Sequence, residues 1–217
     1  MSFVIALLGA ESTGKTTLSR ELAAALAAEG GRVALVPEYL REFCEQHGRT
    51  PLQHEQQAIA DEQTRRIAAA AATHELVIAD TTALMVAVYS DLVFDDTALY
   101  ASAENAHRQG CDLTLLTALD LPWQADGLQR DGPQVREPVD ALVRASLARA
   151  GIDHAVVFGR GAERLQAALA SVRRALAPPG ADGDDAQAAG NPRWHWHCER
   201  CGDANCERHA RLPKLGQ

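Results

Sequence analysis

At 217 residues the chain has room for one domain of ordinary size, with its own buried core, plus a small appendage. A composition of 47% hydrophobic and 23% charged residues excludes global disorder, and a formal net charge of −8 argues against a diffuse nucleic-acid binder, which should be basic. No apolar run reaches the ~18 residues of a membrane span, and the apolar start Met1–Ala10 has no positive n-region, so the expectation is a cytoplasmic protein with no membrane partner.

The body alternates strands and helices. Phe3–Leu8 is an apolar run that stops at Gly9, as a buried parallel strand does. Thr16–Glu29 is rich in alanine and leucine and ends at Gly30-Gly31, which predicts a helix. Arg32–Val36 is a second strand, closed by Pro37. A long helix follows over His54–Thr73, with room for a helical stretch before it. Glu75–Ala79 is a third strand ending on Asp80, and helical segments follow at Ala83–Ser90 and Thr97–Gln109. Asp112–Thr117 is a fourth strand, leading into a polar stretch punctuated by Pro122, Gly127, Gly132 and Pro133. Val135–Ala150 is a helix, Ala155–Phe158 a fifth strand and Ala162–Leu176 a last amphipathic helix. Five apolar strands separated by helices imply an α/β fold, a five-stranded parallel sheet with helices on both faces. Residues 1–176 form this body. Residues 177–193 are a linker rich in Pro, Gly, Ala and Asp, and 194–217 form a Cys/His-rich tail of separate composition.

The most specific motif opens the chain. Gly9-Ala-Glu11-Ser12-Thr13-Gly14-Lys15-Thr16 fits G-x-x-x-x-G-K-[ST], with a strand before it and a helix after it, and Thr17 continues the helix. Glycines let the backbone wrap a phosphate closely, and the helix N-terminus adds a favourable dipole. Lys15 is placed to reach the β- and γ-phosphates and the Thr16 hydroxyl to ligate Mg²⁺. Of the 21 Lys and Arg residues only Lys15 and Lys214 are lysines, which makes an accidental Lys15 at this position less plausible. The expected ligands are ATP and Mg²⁺.

Two carboxylates follow strands. Asp80 stands where such proteins hold Mg²⁺ or its water, the plainer reading being a turn aspartate. Glu38 stands at the end of the second strand, where open α/β sheets bind ligands. It is available as proton acceptor for a substrate hydroxyl or as a partner for a sugar, or else as a surface glutamate. Arg41, one turn on, would contact substrate or phosphate, or form an exposed ion pair. The stretch from Leu121 to Arg136 carries Trp123, Asp126, Arg130 and Arg136. Its polarity, glycines and arginines suit a lid that closes on developing phosphate charge. A mobile surface loop is the alternative.

These elements, GAESTGKTT, Val36–Glu42 (VPEYLRE), Ile78–Thr82 (IADTT) and Leu121–Arg130 (LPWQADGLQR), resemble in order the ribosylnicotinamide kinase domain of the NadR type over residues 1–176. The resemblance implies a P-loop nucleoside-kinase-like sheet and ATP-dependent phosphorylation of the 5′-hydroxyl of nicotinamide riboside to nicotinamide mononucleotide. It implies that Gly14, Lys15 and Thr16 hold nucleotide and Mg²⁺, that Asp80 and Glu38 serve metal, base or ribose, and that Arg130 and Arg136 are lid arginines. A flat, cationic pyridinium would be sandwiched by aromatics chosen among Trp123, Tyr39 and Tyr89. No helix-turn-helix region precedes the phosphate loop and no H-x-G-H motif occurs, so repressor and adenylyltransferase activities are not expected.

The tail holds Cys198, Cys201, Cys206 and His209 in a C-x2-C-x4-C-x2-H pattern, which suits a closed structural Zn²⁺ site. His195 or His197 are alternative fourth ligands, and such a tail would dock a protein partner. The rival readings are a kinase for another nucleoside, a nucleotide-switch NTPase that recruits a partner through the tail, and a nucleic-acid-linked ATPase. A homo-oligomer is compatible with all of them.

Overall fold

The computed structural model describes residues 2–124 and 132–177. Five parallel strands, β1 (Phe3–Leu8), β2 (Val33–Val36), β3 (Leu76–Asp80), β4 (Leu113–Thr117) and β5 (Ala155–Val157), form one sheet in the order β2-β3-β1-β4-β5. The helices are α1 (Lys15–Ala28), α2 (Tyr39–His47), α3 (Gln56–Ala71), α4 (Ala83–Phe94), α5 (Tyr100–Gly110), α6 (Arg136–Ala150) and α7 (Ala162–Leu176).

The two faces of β1 sort the helices. Ile5 and Leu7 pack with Leu18, Leu22 and Leu26 of α1 and with Ala168, Leu169 and Val172 of α7. Leu8 faces the other layer, with Phe43 and Cys44 of α2, Ile59 of α3, α4, and Val139 and Val143 of α6. Alternation at period two thus assigns each helix a side. Helix α4 is buried nearly all round, because α3, α5 and α6 pack against it above the sheet. Its sequence ALMVAVYSDLVF accordingly lacks a polar face. It runs four residues past Ser90, the expected end, and stops at Asp95, whose φ of 54° is left-handed.

The register places the site. Leu7 of β1 lies opposite Asp80 of β3 and Leu115 of β4. The carboxyl ends of these three central strands therefore stand side by side, and the loops that follow share one edge of the sheet. Ligands bind at this edge of open α/β sheets. Among the described residues, no helix is long and apolar enough to cross a membrane.

Candidate active site

The loop from Gly9 to Gly14 turns between β1 and α1 through three positive-φ residues: Gly9 (146°), Ser12 (52°) and Gly14 (75°). Gly9 cannot be replaced without movement, since a Cβ there would sit 2.1 Å from Thr117 Oγ1 of β4. The loop is braced from inside. Lys15 Nζ donates to the carbonyls of Gly9 (2.7 Å) and Ala10 (2.8 Å), and the Thr13 hydroxyl donates to the Ala10 carbonyl (2.7 Å). The Thr117 hydroxyl lies 2.7 Å from Thr13 Oγ1 and 3.1 Å from the Leu8 carbonyl. Ser12 exchanges two hydrogen bonds with the backbone of Gln124, just after β4. The first amides of α1 have no carbonyl partner within the helix, which leaves an anion-binding end at Lys15–Thr17.

A second support is Arg164, at the start of α7 and only 4% exposed. Its guanidinium donates to the Thr13 carbonyl (2.7 Å), to Asp120 Oδ1 (2.9 Å) and to the Gly159 carbonyl (3.0 Å). Asp120 also accepts the Gly159 amide at 2.6 Å. This buried pair ties the phosphate loop to the loops after β4 and β5. Sequence reasoning missed it, because its members lie about 40 and 150 residues from their partners.

Asp80 is buried, with Oδ1 in no hydrogen bond, and Thr81 behind it takes a φ of 86°. A buried, unpartnered carboxylate oxygen beside a phosphate loop is chemically suited to a hard cation or its water, so the residues fit Mg²⁺ with Thr16 and Asp80 as its holders. The following residue, Thr82, caps α4 through Leu84 N and meets His107 Nδ1 at 3.0 Å, while His107 Nε2 lies 2.8 Å from the Thr114 hydroxyl. Burial lowers the His107 pKa to about 4, keeping the ring neutral in this relay.

Glu38 stands at the residue before α2 without a side-chain capping bond, and its carboxylate lies 3.9 Å from the Arg41 guanidinium. Its loop is held by Gln63 of α3, which is 1% exposed. The Gln63 amide accepts from Tyr39 N (2.8 Å) and lies 3.3 Å from both the Pro37 and Thr81 carbonyls, to which it donates. One buried side chain thus fixes the loop bearing Glu38 against the loop that follows Asp80.

The phosphate loop, Glu38, Thr81 and Arg164 border one cleft of about 890 Å³, within the range of small-molecule sites. Glu11, Ser12, Thr13, Gly14, Lys15, Thr16 and Thr17 line one end, and Glu38, Arg41 and Tyr89 also line it, as expected. The lining includes residues that carried no sequence signal: Cys44, Leu52, Gln56, Met85, Val93 and Phe94. Leu52 and Val93 are 49% and 55% exposed, a partly apolar rim.

Other expectations fall elsewhere. Tyr39, Asp80, Trp123 and Arg136 do not line the cleft. The Tyr39 ring is covered by the Arg66 guanidinium, 4.4 Å from its centroid, because Arg66 is drawn over it by Glu42 and Glu62. Arg136, at the start of α6, is half-buried with Nε and Nη2 unpartnered. Burial lowers its pKa, and the nearby charges of Asp120 and Glu11 oppose that shift. It is therefore a guanidinium with hydrogen-bonding capacity to spare. Asp126, Arg130, Cys198, Cys201, Cys206 and His209 lie outside the described residues, as do most of the linker and the whole tail. Among the described residues no three metal-ligating side chains cluster.

Comparison with known proteins agrees with this geometry. The model of a family described as AAA domain matches residues 4–164. No curated protein matches the chain. A crystal structure of NadR protein in complex with NAD and AMP-PNP is similar with a TM-score of 0.64 at 21% identity, covering 80% of this chain. A second, in complex with NR, is similar with 0.64 at 20% identity and the same coverage. The chain spans 49% of the length of both. Thymidylate kinase from Ehrlichia chaffeensis is similar with 0.57 at 14% identity, covering 80% of this chain and 98% of that one.

Proposed function

The chain belongs to the AAA domain family, and from that premise we propose that residues 1–176 are an ATP-dependent small-molecule kinase whose acceptor is nicotinamide riboside. The observation that carries the reading is that one continuous cleft is lined both by the phosphate loop and by Glu38, Arg41 and apolar side chains. A phosphoryl donor and an acceptor can meet there without a second domain. The similarity to NadR structures crystallised with AMP-PNP and with NR supports the choice of donor and acceptor.

In this proposal the triphosphate lies along Gly9–Thr17, and Lys15 exchanges its two loop carbonyls for phosphate oxygens. Thr16 and Asp80 would hold Mg²⁺, which neutralises phosphate charge when bound. The 5′-oxygen of the riboside attacks the γ-phosphorus, the bond from that phosphorus to the β–γ bridging oxygen breaks, and ADP leaves. Glu38 takes the hydroxyl proton, since it lines the cleft while Asp80 does not. Arg136 and Arg130 supply guanidinium groups for the transferring phosphoryl oxygens. Most of the rate comes from positioning and charge, because little covalent chemistry falls to the protein. A different nucleoside, or a nucleotide, as acceptor on the same scaffold is the second reading, favoured by the match to thymidylate kinase over 98% of that chain.

The test is ADP release from Mg-ATP with and without nicotinamide riboside, with product mass measured. Riboside-dependent release and a nicotinamide mononucleotide peak are expected. Riboside-independent ADP release with no mononucleotide would overturn the acceptor assignment.

A further inference from the structure

Gln56 opens α3 and lines the cleft, yet it is only 4% exposed, and its Oε1 is buried with no hydrogen-bond partner. An amide oxygen stripped of water and left unpaired is costly in a folded protein, and natural structures keep few of them. Met85, Tyr89 and Phe94 line the same cleft, an apolar and partly aromatic set suited to a flat ring. Neither the phosphate loop nor the carboxylates account for a neutral acceptor group at this end.

We propose that Gln56 reads the edge of the acceptor's heterocycle, its buried Oε1 accepting an N–H from an exocyclic amide or amine. This rests on the kinase reading above and narrows it to a substrate class: ribosides whose ring bears an exocyclic N–H₂ group, as a carboxamide or an amine. A primary carboxamide fits, because its N–H₂ meets Oε1 while its own oxygen can accept from the Gln56 amide N–H₂. A carboxylate in the same position offers no donor and turns an anionic oxygen on Oε1. A site built around a hydrogen bond discriminates strongly against an analogue that cannot make it, because its own buried group then stays unpaired.

The experiment compares kcat/KM for nicotinamide riboside and nicotinic acid riboside at saturating Mg-ATP, in the wild type, Gln56→Leu and Gln56→Glu. The wild type should favour the carboxamide by about 30-fold or more, the range expected from one buried unmade hydrogen bond. Gln56→Leu should bring the ratio to within about 3-fold, chiefly by loss on the carboxamide, with the KM for ATP within about 2-fold of wild type. Gln56→Glu keeps the shape and an acceptor oxygen, so it should retain carboxamide turnover even if the leucine variant folds poorly. A wild type that treats the two ribosides alike, or a preference that survives Gln56→Leu, would overturn the proposal. If neither riboside is turned over but another nucleoside is, the acceptor assignment falls. Gln56 is then judged on cytidine against uridine and adenosine against inosine, where an amine preference that Gln56→Leu abolishes supports it and equal rates overturn it. Turnover of no acceptor at all overturns both readings.

Discussion

The two ends of the cleft are built on opposite plans. The phosphate end is one contiguous loop whose backbone is fixed by internal bonds: Lys15 on the Gly9 and Ala10 carbonyls, Thr13 on the Ala10 carbonyl as well, and Arg164 and Thr117 bracing it from behind. The acceptor end of the proposed kinase is assembled from α2, the start of α3 with the segment before it, and α4, which supply Cys44, Leu52, Gln56, Met85, Tyr89 and Phe94. It keeps an exposed apolar rim and a buried amide oxygen with no partner. The first end is shaped before ligand arrives and recognises a group common to all nucleotides. The second keeps a buried amide oxygen without a partner, which under the proposed function is where specificity for one acceptor would reside.

Changes at the phosphate end should have the largest effects. Lys15→Ala removes the one cationic side chain of the loop and should lower kcat/KM by 10²-fold or more, the scale of losing a positioned transition-state donor. Steady-state kinetics over a range of ATP concentrations checks it. A loss under 5-fold would mean that the loop does not grip the triphosphate.

Arg164→Met tests whether the bracing of that end is structural. It strands Asp120, 14% exposed, in a buried site, and breaking such a pair costs ~3–5 kcal/mol. Denaturant unfolding should show that loss, whereas a change below 1 kcal/mol would mean that the loop stands without its brace.

The relay behind Asp80 gives a pH signature. His107 has its pKa lowered to about 4 by burial, from an ordinary 6.5. The unfolded chain therefore binds the extra proton first as pH falls. The stabilisation from the neutral ring is complete above about pH 6.5 and is lost as pH drops toward 4, a span worth roughly 3 kcal/mol. His107→Gln should lower stability at pH 7 yet flatten the decline between pH 6.5 and 4. An unchanged slope would show that another group sets it.

The smallest effect belongs to the acceptor rim. Leu52→Ser with Val93→Ser should leave stability within ~0.5 kcal/mol, as exposed positions do. The pair should raise the riboside KM a few-fold while sparing the KM for ATP, as measured by varying each substrate in turn. Equal increases in both constants would erase the distinction between the two ends.

This difference also explains what was legible in the sequence. Continuous apolar runs ending on Gly9, Pro37 and Asp80 announced the strands, and the parallel sheet followed from their alternation with helices. The phosphate loop was legible because its function lies in adjacent residues and backbone geometry. Helix α2 was only glimpsed, being short and packed by Phe43 and Cys44 rather than by a long stripe. The acceptor end was mostly illegible. Gln56 and Gln63 look alike as surface-type residues on a polar helix, and only the approach of α2 and α4 buries them. Tyr39 was an attractive stacking residue until Arg66, drawn by Glu42 and Glu62, covered its ring.

If one cleft holds donor and acceptor at separable ends, calorimetric titration will separate their binding. AMP-PNP with Mg²⁺ and nicotinamide riboside would each be titrated, alone and in the presence of the other, into the wild type, Lys15→Ala and Glu38→Gln. Lys15→Ala should lose AMP-PNP while holding the riboside within about 3-fold, and Glu38→Gln should do the reverse, each difference set by a charged contact at one end only. Loss of both ligands together in both variants, or a wild type that binds AMP-PNP but no riboside, would contradict that arrangement.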